Sequence, residues 1–307
     1  MSDLVVTPTN PFEDIIELVI NSLDSPNSKR AYGSSLRSFF TWREGEGNPP
    51  FTKSLVQRFK DHLRKTGLST SAVNLKLAAV RKLAGEAMEN GYLDPGLASG
   101  VGNVHDLKSR GVRAGNWLSK EEARALLGAP DTTTLQGLRD RAILAILVGC
   151  GLRRAELVSL TFEHIQVREG RWVIVDLVGK GNKRRLVPVP AWAKDAIDAW
   201  AGAALVSGGL VFRSIHKGAA MDTSRVNGSM TPQAILDVVD RHSLSCGYLV
   251  KPHDLRRTFA KLSYKGGAGL DQVSLSLGHA SLQTTERYLG LSQDLVHAPC
   301  DFLDLGI

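Results

Sequence analysis

The sequence predicts a mainly α-helical protein of two domains, with a small antiparallel β-sheet inside the second. Three observations carry that expectation. Apolar residues recur at helical spacing from Pro11 to about Tyr92, a Gly- and Ser-rich stretch interrupts the pattern at Asp94, and only one pair of alternating segments breaks the helices that follow. With 307 residues, 43% of them hydrophobic, the chain can bury two ordinary cores.

In the first domain, residues 1–94, Ile15, Ile16, Val19, Ile20 and Leu23 form one apolar stripe. Tyr32, Leu36, Phe39 and Phe40 form the next, after the turn at Ser25 and Pro26. Leu55, Phe59 and Leu63 continue the series, and Val73, Leu77, Val80, Leu83, Ala84 and Ala87 end it. Four helices of this length make a small bundle. Residues 95–116, within "DPGLASGVGNVHDLKSRGVRAGN", read as a linker. Ser119 and Glu122 then announce a new helix with a capping box.

The second domain, 117–307, starts with a very apolar helix from Leu138 to Val148, followed by "GLRRAELVSL". The alternating segments "RWVIVDLV" and "RRLVPVP" flank "GKGNK" and read as a β-hairpin with a glycine-rich turn. Helices are expected again from Pro190 to Val206, from Thr231, from Pro252 and around Tyr288, where "LGHASLQTTERYLG" reads as helix, turn, helix. "GKGNK" lacks the spacing of a nucleotide-binding phosphate loop and no helix follows its lysine, so an NTPase is excluded.

Charge points to the partner. The formal net charge is +7, yet Asp3, Glu13, Asp14, Glu17 and Asp24 are the only ionic side chains among residues 1–25, so residues 26–307 carry +12. A basic body of this kind suits a polyanion. Cys150, Cys246 and Cys300 are too few and scattered for a disulfide framework or a zinc site. No apolar run is long enough for a membrane span and the N-terminus lacks a signal-peptide layout, so a cytoplasmic location is expected.

Several cationic or neutral donors could handle a phosphate. Arg153 follows Gly151 and Leu152 at a helix start, Lys180 stands at the hairpin tip, and His253 and Arg256 lie three apart on one helical face. His279 and Tyr288 complete the set. In order, Gly-Leu-Arg-x-x-Glu-Leu, Gly-Lys-Gly-x-Lys, His-x-x-Arg, Leu-Gly-His and Thr-Thr-x-x-Tyr closely resemble the tyrosine recombinase (phage integrase) family, especially its compact Xer-like members. "NSKRAYGSSLRSFFTW" resembles the opening helix of that family's core-binding domain, so the resemblance covers essentially the whole chain.

The resemblance implies an N-terminal helical core-binding bundle, a C-terminal mixed α/β catalytic domain, and site-specific cutting and rejoining of DNA. Tyr288 would attack phosphorus to give a 3′-phosphotyrosine, Arg153 and Arg256 would clamp the non-bridging oxygens, and Lys180 would protonate the leaving 5′ oxygen. His253 would assist proton transfer and His279 would hydrogen-bond a phosphate oxygen, while Glu156 would orient the site. Lys183 competes with Lys180, and Arg154 and Arg257 adjoin the two clamping arginines. No metal, ATP or other cofactor is expected, because the phosphotyrosyl link retains the ester's energy.

The resemblance further implies a clamp of two domains on duplex DNA with an inverted-repeat core site, with Lys29, Arg30, Lys76, Arg81, Lys108 and Arg110 as candidate phosphate contacts. A homotetramer would exchange strands between two duplexes through a Holliday junction, with the apolar tail around Leu295, Val296, Phe302, Leu303 and Leu305 docking on a neighbour. A type IB topoisomerase, a telomere resolvase and a non-enzymatic DNA binder of the same fold are the alternatives.

Overall fold

The computed structural model describes residues 11–108, 116–178, 184–216, 218, 220–279 and 281–290. They fall into two compact units that divide between Val112 and Arg113. Among the described residues no helix is long and apolar enough to cross a membrane.

The first unit holds α1 (Pro11–Asn21), α2 (Pro26–Gly45), α3 (Lys53–Lys65), α4 (Thr70–Glu89) and α5 (Pro95–Gly102). Polar residues start three of them: Thr52 accepts from the Leu55 amide, Ser69 from that of Ala72, and Asp94 from those of Gly96 and Leu97. The expected stripes face one another. Leu36, Phe39, Phe59, Leu77 and Val80 are fully buried, and the Phe39 and Phe59 rings meet edge to face at 5.0 Å. Burying each such side chain stabilises the unit by about 1.5–3 kcal/mol.

One boundary differs from expectation. Residues 95–116 are not simply a linker, because α5 belongs to the first unit and Ala98, Val101 and Val104 are buried in its core. The following chain is fastened as well: Asn74 exchanges two hydrogen bonds with the Leu107 backbone at 2.8 and 3.0 Å, and Arg81 binds the Val104 carbonyl and Asp106. The first unit therefore continues to Leu107 and contains five helices among the described residues. Glycine and serine made this segment resemble a linker, but in α5 their small size permits close approach. A Cβ on Gly100 would lie 3.6 Å from that of Lys53.

In the second unit, α6 (Lys120–Gly128) opens with the expected capping box of Ser119 and Glu122. The long helix α7 (Leu135–Cys150) is buried on every side from Ala142 to Val148 and forms the axis of the core. After α8 (Arg154–Val158), strands β1 (Ile165–Arg168), β2 (Arg171–Val178) and β3 (Arg184–Pro188) make an antiparallel sheet in that order. Its register aligns Ile165 with Ile174 and Ile174 with Val187, so one face meets the core. The β2–β3 pair is the expected hairpin, and its turn, with Lys180 and Lys183, lies outside the described residues.

The remaining elements are α9 (Ala191–Ala204), β4 (Arg213–Ile215), β5 (Val226–Ser229), α10 (Pro232–Ser245), α11 (Pro252–Lys265), α12 (Leu270–Leu277) and α13 (Leu282–Leu289). Trp200 of α9 is wholly buried and donates to the Val211 carbonyl at 2.8 Å. Asp140 of α7, fully buried, receives Arg139, Arg241 and His242 and so joins α7 to α10. Strand β1 and the β4–β5 pair escaped the sequence reading because they are only three or four residues long and two of them, "RSI" and "VNGS", carry polar residues without alternation.

Candidate active site

The site begins where α7 stops. Gly151 adopts φ +62°, which ends the helix and turns the chain so that Leu152 enters the core and Arg153 emerges. Only glycine fits here. A Cβ would also come within 2.7 Å of the Phe259 ring. Arg153 caps α8 with extended backbone, and its amide donates to Glu156 Oε2 at 2.7 Å while its Nη1 donates to Oε1 at 2.8 Å. Its side chain remains 35% exposed, so the guanidinium is both anchored and accessible.

Helix α11 supplies the next two groups. Pro252 starts it and Asp254 accepts from the Lys251 amide, which fixes the first turn and presents His253 and Arg256 along one face. Arg256 is 1% exposed, yet its charge is met by backbone. One Nη donates to the Gly151 carbonyl at 2.5 Å and the other to the Leu277 carbonyl. This arginine thus ties the end of α7 to the end of α12.

The last two groups flank a second left-handed glycine. α12 ends at Gly278, φ +62°, and the chain reverses through His279 into α13. His279 Nδ1 lies 2.8 Å from the hydroxyl of buried Thr285, which orients the imidazole. Tyr288 sits on α13 with its ring edge-on to both histidines, 5.4 Å from His253 and 5.4 Å from His279. Its hydroxyl donates to the His253 carbonyl at 3.2 Å.

Burial and a crowd of cations set the protonation states. Burial pushes the His279 imidazole down to about 4, aided by Arg256 and Arg153, and lowers His253 through burial, then Arg257 and Arg256. Both are therefore neutral at pH 7. Burial also lowers Arg256, to about 10, which leaves it charged. The Tyr288 phenol is raised by burial, with Arg256 and Arg257 acting against that shift. Burial would raise Glu156 too, but the bonds from Arg185 and the Arg153 amide outweigh it and hold the carboxyl at about 2.

Five of the six expected site residues, Arg153, His253, Arg256, His279 and Tyr288, therefore converge from four helical segments. Lys180, the sixth, lies outside the described residues. Arg154 turns away, toward the Pro232 carbonyl. Arg257 is close after all: it pairs with Asp254 and its guanidinium carbon stands 5.4 Å from the centre of the Tyr288 ring. Arg185 was not expected here. Its side chain is 9% exposed and forks onto both oxygens of Glu156, at 2.8 and 2.9 Å, with Nε on the Ser276 carbonyl at 2.9 Å. The signal was present in "RRLVPVP": Arg185 lies two residues before buried Val187 and so shares the inward face of β3.

Of the proposed phosphate contacts, Arg30 and Lys108 are exposed and Lys29 and Lys76 half-buried. Arg81 has a structural task, since its guanidinium holds Val104 and Asp106, and Arg110 lies outside the described residues. No group of three or more His, Cys, Asp or Glu suited to a metal occurs among the described residues.

The sequence pattern of the phage integrase family matches residues 116–294, more than half of the chain, and that of the phage integrase N-terminal SAM-like domain matches residues 16–91. The chain belongs to the phage integrase family. A tyrosine recombinase XerC of Myxococcus xanthus is 42% identical over 176 residues, 56% of this chain and 56% of that protein. The chain thus spans about half the length of that relative. A tyrosine recombinase XerD of Pseudomonas aeruginosa is 30% identical over 282 residues, 87% of each chain. The Xer-like resemblance of the motifs holds. Two solved structures share the integrase fold. The XerH site-specific recombinase bound to difH substrate, before cleavage, superposes with a TM-score of 0.70 at 18% identity, covering 92% of both chains. A lambda integrase (75–356) dimer bound to a COC′ core site gives 0.67 at 14% identity, covering 92% of this chain and 96% of that one.

Proposed function

We propose that this integrase-family chain is a site-specific DNA recombinase that cuts and rejoins strands through a covalent bond between Tyr288 and a 3′ phosphate. The observation that carries the reading is the placement of the Tyr288 ring between His253 and His279, on a site whose charged floor is Arg153 and Arg256. A phosphodiester resists attack because its oxygens are negative. Two guanidiniums answer this by binding the non-bridging oxygens and holding the charge that grows there in the transition state.

In the proposed step the Tyr288 oxygen bonds to phosphorus as the bond to the 5′ oxygen breaks. Neutral His253 takes the phenol proton, which burial otherwise retains on Tyr288. Lys180 gives a proton to the departing 5′ oxygen, and neutral His279 donates a hydrogen bond to a non-bridging oxygen. Attack by a new 5′ hydroxyl reverses the step on another strand, so no metal or other cofactor is needed. Lys29, Arg30, Lys76 and Lys108 hold backbone phosphates of duplex DNA with an inverted-repeat core site. Four protomers on two duplexes exchange strands through a Holliday junction, coupled by docking on a neighbour of residues 293–307, which lie outside the described residues.

The test is covalent capture. On a nicked substrate that traps the cleaved state, wild-type protein forms an adduct stable in denaturing gels and Tyr288→Phe forms none while still shifting the DNA. A normal adduct from the Phe variant would move the nucleophile to another tyrosine, Tyr264 or Tyr248 first.

A further inference from the structure

The buried carboxylate of Glu156 is contested by two guanidiniums. Its Oε1 accepts from Arg153 Nη1 and from Arg185 Nη1, each at 2.8 Å, and its Oε2 accepts from the Arg153 amide at 2.7 Å and Arg185 Nη2 at 2.9 Å. The two arginines are not equivalent. Arg185 is nearly as buried as Glu156, at 9% against 4% side-chain exposure, whereas Arg153 is 35% exposed.

We propose that Arg185 is a positioning residue for strand cleavage: by engaging both oxygens of Glu156, it leaves the Arg153 guanidinium available to the scissile phosphate. The inference rests on the reading of Arg153 as a phosphate clamp. Its physics is a count of charges at close range. Arg153, Arg185 and Glu156 together carry +1, and the accessible part of that charge belongs to Arg153. Remove Arg185 and the remaining pair is neutral. A buried carboxylate left with one cation binds it closely, because an unpaired buried charge is far costlier than a paired one. Arg153 would then turn its fork onto Glu156 and away from the phosphate, with no change in Arg153 itself.

Arg185 also reaches the other side of the site. Its Nε holds the Ser276 carbonyl, and its side chain packs on Gly278, where a Cβ would lie 2.8 Å from Arg185 Cδ. The residue after Gly278 is His279. One buried side chain from the lysine-bearing hairpin therefore fixes the start of α8 and the end of α12. A purely structural brace and a charge competitor make different predictions about Glu156. Loss of a brace is not repaired by weakening a second partner. Loss of a competitor is repaired by removing the charge for which it competed.

The experiment measures the rate of adduct formation on the nicked substrate at saturating DNA. Wild type, Tyr288→Phe, Arg185→Met, Glu156→Gln and the Arg185→Met/Glu156→Gln double variant are compared. Adduct from wild type and none from Tyr288→Phe establish the functional reading; absence of adduct from wild type defeats that reading and with it a role for Arg185 in cleavage, whereas a failure confined to the Arg185 variants defeats the Arg185 proposal alone. Arg185→Met should slow cleavage by about 100-fold, the size of losing one preorganised donor to the phosphate. Glu156→Gln should cost much less, and the double variant should return to within about tenfold of wild type. A double variant no faster than Arg185→Met would overturn the proposal and leave Arg185 a brace. If Arg185→Met alone does not fold, as judged by circular dichroism, the double variant decides: it lacks both buried charges, so a rate within about tenfold of wild type supports the proposal, and a deeper loss defeats it.

Discussion

Replacing Gly151 by alanine perturbs the fold and the site at one point. The residue holds φ +62°, where a side chain costs about 1–3 kcal/mol. The new Cβ would meet Phe259 Cδ1 at 2.7 Å, Phe259 Cγ at 3.0 Å and Leu277 Cδ2 at 3.2 Å, and the Phe259 ring of α11 is packed against the cluster that holds Val273 and Leu277. Forcing it aside adds about 1–3 kcal/mol. The sum is about 2–6 kcal/mol, a fall of about 4–24 °C in the melting of a unit of this size. The Gly151 carbonyl that receives Arg256 would also move, so adduct formation should fall further than folding alone explains. Calorimetry and the covalent-capture assay, both run well below the lowered melting point, separate the two effects. A Gly151→Ala protein that melts within about 1 °C of wild type would show that the junction relaxes freely, refuting the packing argument.

Three further outcomes are expected. Thr258 is fully buried and its hydroxyl accepts from the Leu118 amide at 2.9 Å, so Thr258→Val, nearly isosteric, should cost about 1–3 kcal/mol by orphaning that amide; denaturant melts with an unchanged slope would read it. Because the folded His279 value, about 4, lies below the ordinary 6.5, the unfolded chain takes up its proton first as pH falls. The contribution of His279 to stability is full above about 6.5 and lost toward 4. DNA-free protein should lose about 1 kcal/mol from this group between pH 7 and pH 5, after a discount for its partial exposure, and His279→Gln should not. Finally, a substrate with sulfur in place of the bridging 5′ oxygen needs no acid for its leaving group. It should rescue Lys180→Ala and not Arg153→Ala, and equal rescue would erase that division of labour.

Long helices were legible because their apolar spacing and their caps agree: α4, α7 and α11 follow from residue pattern alone. The site was legible for a different reason. The proposed chemistry calls for arginine, histidine and tyrosine in local motifs, and glycine turns at Gly151 and Gly278 mark where two of those motifs leave their helices. What sequence did not reveal was set by contacts across the chain. α5 was hidden because glycine and serine signal flexibility until a partner helix shows that they permit close packing. Arg185 was hidden because an arginine reads as solvated until the inward register of β3 and the buried Glu156 are known. Arg81 shows the opposite case, a cation that reads as solvated in the sequence and holds the backbone after α5.

Cys150 stands immediately before Gly151, wholly buried with its thiol 3.7 Å from the Pro188 carbonyl, and burial pushes that thiol up to about 12. In the closed protein it is inert to alkylating reagents, since only an accessible thiolate reacts. Its labelling rate under native conditions therefore counts the openings of the α7–β3 junction, the seam against which Arg153 is set. Slowed relative to a free thiol by the equilibrium constant for opening, it gives the free energy of that local excursion directly. With Cys246 replaced by serine and Cys300 likewise, the remaining cysteine becomes a clock inside the second unit, able to report whether the DNA of the proposed reaction stiffens the junction before the proposed cut.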